Sequence, residues 1–107
     1  MMTKRIKKEL EDETKVLACA QEFGLVGDPT RMKICWLLCN HKELSVGEIA
    51  ELLGVSDSVV SHALKKLKKH QMVKVRRDHK HAFYALGNSP FIKVVKRNLQ
   101  KYEIKNI

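Results

Sequence analysis

The 107-residue chain carries 21 Lys and Arg against 12 Asp and Glu, a formal net charge of +9, and no apolar run approaches the roughly 20 residues that cross a bilayer. That length accommodates one domain with a modest core, which argues against an enzyme built around a deep cleft, and the charge favours a polyanion, nucleic acid ahead of an anionic membrane surface. The charged N-terminal stretch has no apolar segment behind it, so no secretory signal is read there, a cytoplasmic protein is expected, and the three cysteines are expected as thiols rather than a disulfide framework.

Residues 3–23 read as a mixed-charge helix in which Ile6, Leu10, Leu17, Ala20 and Phe23 form a broad apolar stripe, closed by Gly24 and Gly27. Such a stripe packs on a core or on a partner subunit. Asp28 and Pro29 then open a second helix, because Asp caps exposed N–H groups and proline lacks the N–H that the first helical position leaves unused. This helix runs through Met32, Ile34, Cys35, Leu37, Leu38 and Cys39, and its wide apolar face makes it the central core helix. Trp36, on its other side, is expected against the N-terminal helix or a second subunit.

Residues 45–70 read as two short helices joined by a glycine turn. Ser45 and Glu48 have the spacing of a capping box. Ile49, Leu52 and Leu53 give the first helix an apolar face, and Gly54 ends it in a left-handed turn that a residue without Cβ adopts at no steric cost. Ser56 caps the second helix, where Val60, Ala63, Leu64 and Leu67 recur at helical spacing and face a core. The other face carries Ser58, Ser61, His62, Lys65, Lys66 and Lys69, with Ser56 and Asp57 at its leading end. Short polar side chains there suit base edges in a major groove, and the lysines behind them suit phosphates. A lysine-rich face alone would be an ordinary solvated surface; the helix stop, the turn and the polar leading edge together point to a helix-turn-helix.

Residues 72–77 alternate apolar and basic side chains, residues 81–86 are rich in strand formers, and Asp78, His79 and Lys80 lie between them, which predicts a two-stranded hairpin. Arg76, Arg77, His79, Lys80 and His81 gather at its tip as a basic wing able to follow phosphates or enter a minor groove. Asn88, Ser89 and Pro90 start a last helix over residues 90–105, with Phe91, Val94, Val95, Leu99 and Tyr102 along one stripe. That stripe needs a cover. The first helix is the neighbour expected, and two such pairs meeting across a twofold axis make a dimer, so Leu10, Leu17, Phe91, Val94, Val95, Leu99 and Tyr102 are the expected interface. No catalytic site is read: Ser61 and His62 are adjacent on a helix and point about 100° apart, and Cys39 and His41 lack an orienting carboxylate.

The expected architecture is mostly α with a small β-hairpin, about five helices plus a two-stranded wing in a single domain over residues 1–107. With Asp28-Pro29-Thr30-Arg31, Leu52-Leu53-Gly54-Val55-Ser56, Val60-Ser61-His62-Ala63-Leu64, Leu67 and Phe83-Tyr84-Ala85-Leu86 in this order, residues 16–103 resemble the ArsR/SmtB family of bacterial winged-helix repressors. The resemblance implies a homodimer through the two outer helices and a recognition helix over about residues 56–69. It also implies double-stranded DNA with an inverted repeat as partner, and release by an inducer. The other readings are a winged helix that binds an acidic protein and a constitutive DNA-binding protein without sensing.

The family's metal sites do not carry over. Members with a site in the first helix of the helix-turn-helix have Cys-X-Cys near its start, where this chain has Ser45-Val46-Gly47. Zinc-type members have Asp-X-His and later His or Glu on the last helix, whereas residues 90–107 contain no His or Asp and only Glu103 as an acid. No cofactor is expected, and the inducer stays open. Cys19, Cys35 and Cys39 leave three readings: small core side chains, a thiol switch, or a soft-metal site. At i, i+4 the Cβ atoms of Cys35 and Cys39 stand about 5–6 Å apart, wider than the roughly 3.5–4.5 Å of a disulfide, so a direct bond would strain the helix. A soft metal ion could bridge the Cys35 and Cys39 sulfurs without that strain, with Cys19 as a third ligand where the first helix crosses nearby. Some redox- or sulfide-responsive relatives pair a cysteine here with one on the last helix, which has none in this chain, so a thiol switch would use Cys19 instead.

Overall fold

The computed structural model describes residues 13–100. Among them lie five helices and three strands in the order α1 (Glu13–Val26), α2 (Pro29–Asn40), β1 (Leu44–Ser45), α3 (Val46–Leu53), α4 (Asp57–Lys69), β2 (Val73–Asp78), β3 (His81–Leu86) and α5 (Pro90–Gln100). Leu10 and Tyr102, with the rest of the expected outer helices before residue 13 and after residue 100, lie outside the described residues. No helix among the described residues is long and apolar enough to cross a membrane.

The helix starts are set by short-range capping. The Asp28 carboxylate accepts from the Arg31 N–H at 3.0 Å, and Arg31 Nε donates to the Leu25 carbonyl at 2.8 Å, which ties the start of α2 to the end of α1. Ser45 and Glu48 form the reciprocal capping box, at 3.0 and 3.2 Å. Ser56 Oγ accepts from the Val59 N–H at 3.2 Å, and Ser89 Oγ from the Ile92 N–H at 3.1 Å. Gly54, at φ +68°, makes the left-handed turn between α3 and α4.

Helix α1 does not stop at Gly24 but continues to Val26. A glycine inside a helix costs about 1 kcal/mol relative to alanine, and burying Val26 with Leu25 packed beside the core offsets it. The wing is also larger than a hairpin: Leu44 and Ser45 pair antiparallel with Tyr84 and Phe83, giving a three-stranded sheet in the order β1-β3-β2. The hairpin itself runs in register from Val73 opposite Leu86 to Asp78 opposite His81, turning at His79 and Lys80.

Helix α2 is central, with Ile34, Cys35 and Leu38 buried against Ile49 and Ala50 of α3, Val60, Ala63, Leu64 and Leu67 of α4, and Ile92, Val95 and Leu99 of α5. Three side chains, Leu52, Val95 and Leu99, differ from expectation. Leu52 is exposed, because Ile49 and Ala50 take the inward positions of α3. Trp36 is half-buried and lines a small pocket with Met32, Leu37 and Leu53 at the end of α3. Val95 and Leu99, expected at a subunit interface, turn inward with Ile92 into the protomer's own core. At the base of the wing a side chain at Gly87 would collide with the Gln71 carbonyl, so glycine lets β3 return close past the end of α4.

Candidate nucleic-acid interface

The two faces of α4 separate cleanly. Val60, Ala63, Leu64 and Leu67 are buried, while Ser56, Asp57, Ser58, Ser61, His62, Lys65, Lys66 and Lys69 are all exposed. The side chains that anchor the helix are therefore not those it offers outward. Asp57 sits in the first turn and Lys66, Lys68 and Lys69 in the last, each sign at the end of the helix where the macrodipole favours it. Lys65, Lys66, Lys68 and Lys69 have no ion-pair partner among the described residues. Lys68, which the sequence reading passed over, lines a groove of about 450 Å³ with Lys74 between the end of α4 and β2; its place in a four-lysine run around Leu67 was the available signal. The Met72 N–H donates to the Leu67 carbonyl at 3.0 Å, so the wing leaves directly from the end of α4.

On the wing, Arg77, His79 and Lys80 are exposed at or beside the turn, and His79 Nε2 stands 3.6 Å from Asp78 Oδ1. Arg76, half-exposed on the same strand, is paired within the fold. Its Nη2 donates to Glu43 Oε1 at 2.6 Å and its Nε to Glu43 Oε2 at 3.2 Å. Its guanidinium carbon lies 4.8 Å from the centroid of the Phe83 ring. The bidentate bond holds the Glu43 carboxyl below its ordinary range and raises Arg76 further. Arg76 is thus a strap from the wing to the loop after α2, because a planar fork meets a carboxylate with two parallel bonds.

The thiols occupy three different environments, and none is in a disulfide. Cys35 is fully buried, and burial, helped by the neighbouring Cys39, pushes its thiol up to about 12, which leaves almost no thiolate at neutral pH. Cys39 is half-buried one turn further along α2, and Cys19 is exposed on α1. Among the described residues no three His, Cys, Asp or Glu side chains come together as a metal-ligand set, so Cys19 is not brought to the α2 pair as a third ligand. The outer helices meet where Phe23 packs edge-on against Phe91, with centroids 4.7 Å apart. Beside that contact Leu17 and Val94, 59% and 50% exposed, remain on the surface with Val16 and Phe23.

The sequence model of the family described as "Bacterial regulatory protein, arsR family" matches residues 28–75, from the cap of α2 into β2. The chain is 36% identical over 76 residues to the HTH-type transcriptional regulator KmtR of Mycobacterium tuberculosis, a span of 71% of this chain and 58% of that protein. It is 30% identical over 104 residues to a cadmium resistance transcriptional regulatory protein CadC homolog of Staphylococcus aureus, covering 96% and 85% of the two. Among solved structures, reduced HlyU from Vibrio cholerae matches with a TM-score of 0.76 and 26% identity, over 89% of this chain and 98% of that one. The chain thus spans less than two thirds of KmtR, but nearly the whole of HlyU. By the sequence shared with these regulators and by its winged helix-turn-helix, the chain belongs to the ArsR family of bacterial regulatory proteins.

Proposed function

We propose that this protein is a homodimeric transcriptional repressor that binds an inverted repeat in double-stranded DNA, in the bacterial cytoplasm, and lets go when an inducer binds. The observation that carries the reading is the exposed face of α4, where hydroxyls and an imidazole at the leading end are followed by lysines that no carboxylate neutralises among the described residues. Ser58, Ser61 and His62 serve base edges, with Ser56 and Asp57 at the entrance to the groove. Lys65, Lys66 and Lys69 serve phosphates, and Arg77, His79 and Lys80 of the wing reach the flanking backbone. Arg76 positions the wing. The dimer uses Leu17 and Val94 with Val16 and Phe23, and Phe91 supports them from beneath. That KmtR and the CadC homolog are transcriptional regulators supports the reading for this chain.

The test is selection of duplexes from a random pool, followed by fluorescence anisotropy across a salt series. The expected product is an inverted repeat with half-sites about one helical turn, roughly 34 Å, apart. The logarithm of affinity should fall with log salt by about 0.9 for each phosphate neutralised. Equal affinity for a scrambled duplex, or a flat salt response, rules the repressor out. Sedimentation of a Leu17→Glu, Val94→Glu variant should show a monomer where the parent is a dimer.

A further inference from the structure

A cavity of about 570 Å³ opens between the C-terminal end of α2, the loop after it, the sheet and α5, within the roughly 300–1,000 Å³ range of small-molecule sites. Its construction follows from strand register. Lys74 lies opposite Ala85 and Arg76 opposite Phe83, so these four side chains share one face of the sheet. Phe83 and Ala85, with Leu38 from α2, form an apolar floor. Lys42, Lys74 and Lys96 reach it from three different elements. The remaining charges there, Arg76 and Glu43, answer each other. Lys74 and Lys96 have no ion-pair partner among the described residues. The concavity is therefore apolar below and uncompensated positive at the rim, a complement to a molecule with one anionic end and an apolar body.

We infer that this cavity binds a small organic monocarboxylate, its aryl or alkyl body against Phe83, Ala85 and Leu38 and its carboxylate between Lys74 and Lys96. The site stays open in the proposed dimer. Val94 and Lys96 are two residues apart and so point about 160° away from each other round α5, which places the exposed apolar stripe and the cavity on opposite sides of that helix. A duplex is too broad to enter, and the lysines of α4 do not line the cavity. A ligand held there touches the wing at the strand pair that carries the Arg76 strap, so on the repressor reading it also changes DNA affinity. The binding site itself does not depend on that reading.

The experiment is isothermal titration calorimetry of the full chain with 2-naphthoate and, as a neutral isostere, 2-naphthalenemethanol. Saturable binding of one naphthoate per chain is expected, with the alcohol at least about tenfold weaker. Lys74→Glu combined with Lys96→Glu should weaken naphthoate by about tenfold or more, and Ala85→Leu, which fills the floor without changing charge, should abolish binding. Lys65→Glu, on α4, should leave it unchanged. The two cavity variants alter charge and shape separately, so whichever keeps a cooperative melt by circular dichroism decides the matter. Absence of saturable binding, equal binding of the alcohol, or indifference to the folded variant overturns the proposal. Failure to bind any duplex removes the repressor reading and leaves the calorimetric result standing.

Discussion

Helix α4 and the wing are both basic, yet their cations are held differently. On α4, Lys65, Lys66 and Lys69 stand opposite a buried face of Val60, Leu64 and Leu67, with no ion-pair partner among the described residues. On the wing, Arg76 is fixed by two hydrogen bonds to Glu43 and lies over Phe83, so its charge is answered within the fold. Counting basic residues along the chain treats these regions alike. What a cation offers a phosphate depends on whether a carboxylate already holds it, and by that measure α4 is the electrostatic surface while the base of the wing is structural.

The largest expected effect erases the comparison by removing the seat both regions share. Leu64 is fully buried beneath α4, so Leu64→Ala should cost about 2–5 kcal/mol of stability, read as an earlier urea midpoint. Replacing Lys65, Lys66 and Lys69 together by alanine should then lower the magnitude of the salt slope by about 2–3, whereas Arg76→Ala should leave it nearly unchanged. Ser61→Ala or His62→Ala should hold the slope and instead relax base preference, by roughly 1–3 kcal/mol at the contacted pair. A slope that falls equally for the α4 lysines and for Arg76 would dissolve the distinction.

The features visible in the sequence are those written within a few residues. Asp28 and Pro29, Ser45 and Glu48, Ser56, and Ser89 with Pro90 are local caps, and each marks a real helix start. The outward face of α4 was legible because its inward face is strictly periodic. What stayed hidden depends on distant partners. Strand β1 has two residues, too few for a period, and exists only through Phe83 and Tyr84. The Arg76–Glu43 pair spans 33 positions. Gly24 looked like a stop because local propensity cannot see the burial of Val26 that carries the helix past it. On α5 a single broad stripe concealed two roles, with Ile92, Val95 and Leu99 turned into the core and Val94 left outside.

The smallest expected effect is also the most discriminating, because it would convert the wing into a second α4. Glu43→Gln keeps the shape of the side chain and removes its charge, freeing Arg76. The carboxyl of Glu43 titrates below its ordinary value of 4.5 because Arg76 donates to it. The strap's contribution to stability is therefore fully present above that value and is lost as pH falls through the lowered folded one. The wild type should melt slightly above Glu43→Gln at pH 7, the gap should narrow below about pH 4.5 and close in stronger acid, and it should stay small because the pair is exposed. On DNA the sign reverses. A released Arg76 beside Arg77 and Lys80 becomes available to the flanking backbone, and the salt slope should steepen by at most about 0.9. If melting follows this pH pattern while the slope stays fixed, the strap holds the wing without guarding a phosphate contact, and Arg77, His79 and Lys80 remain the wing's contacts to the flanking backbone.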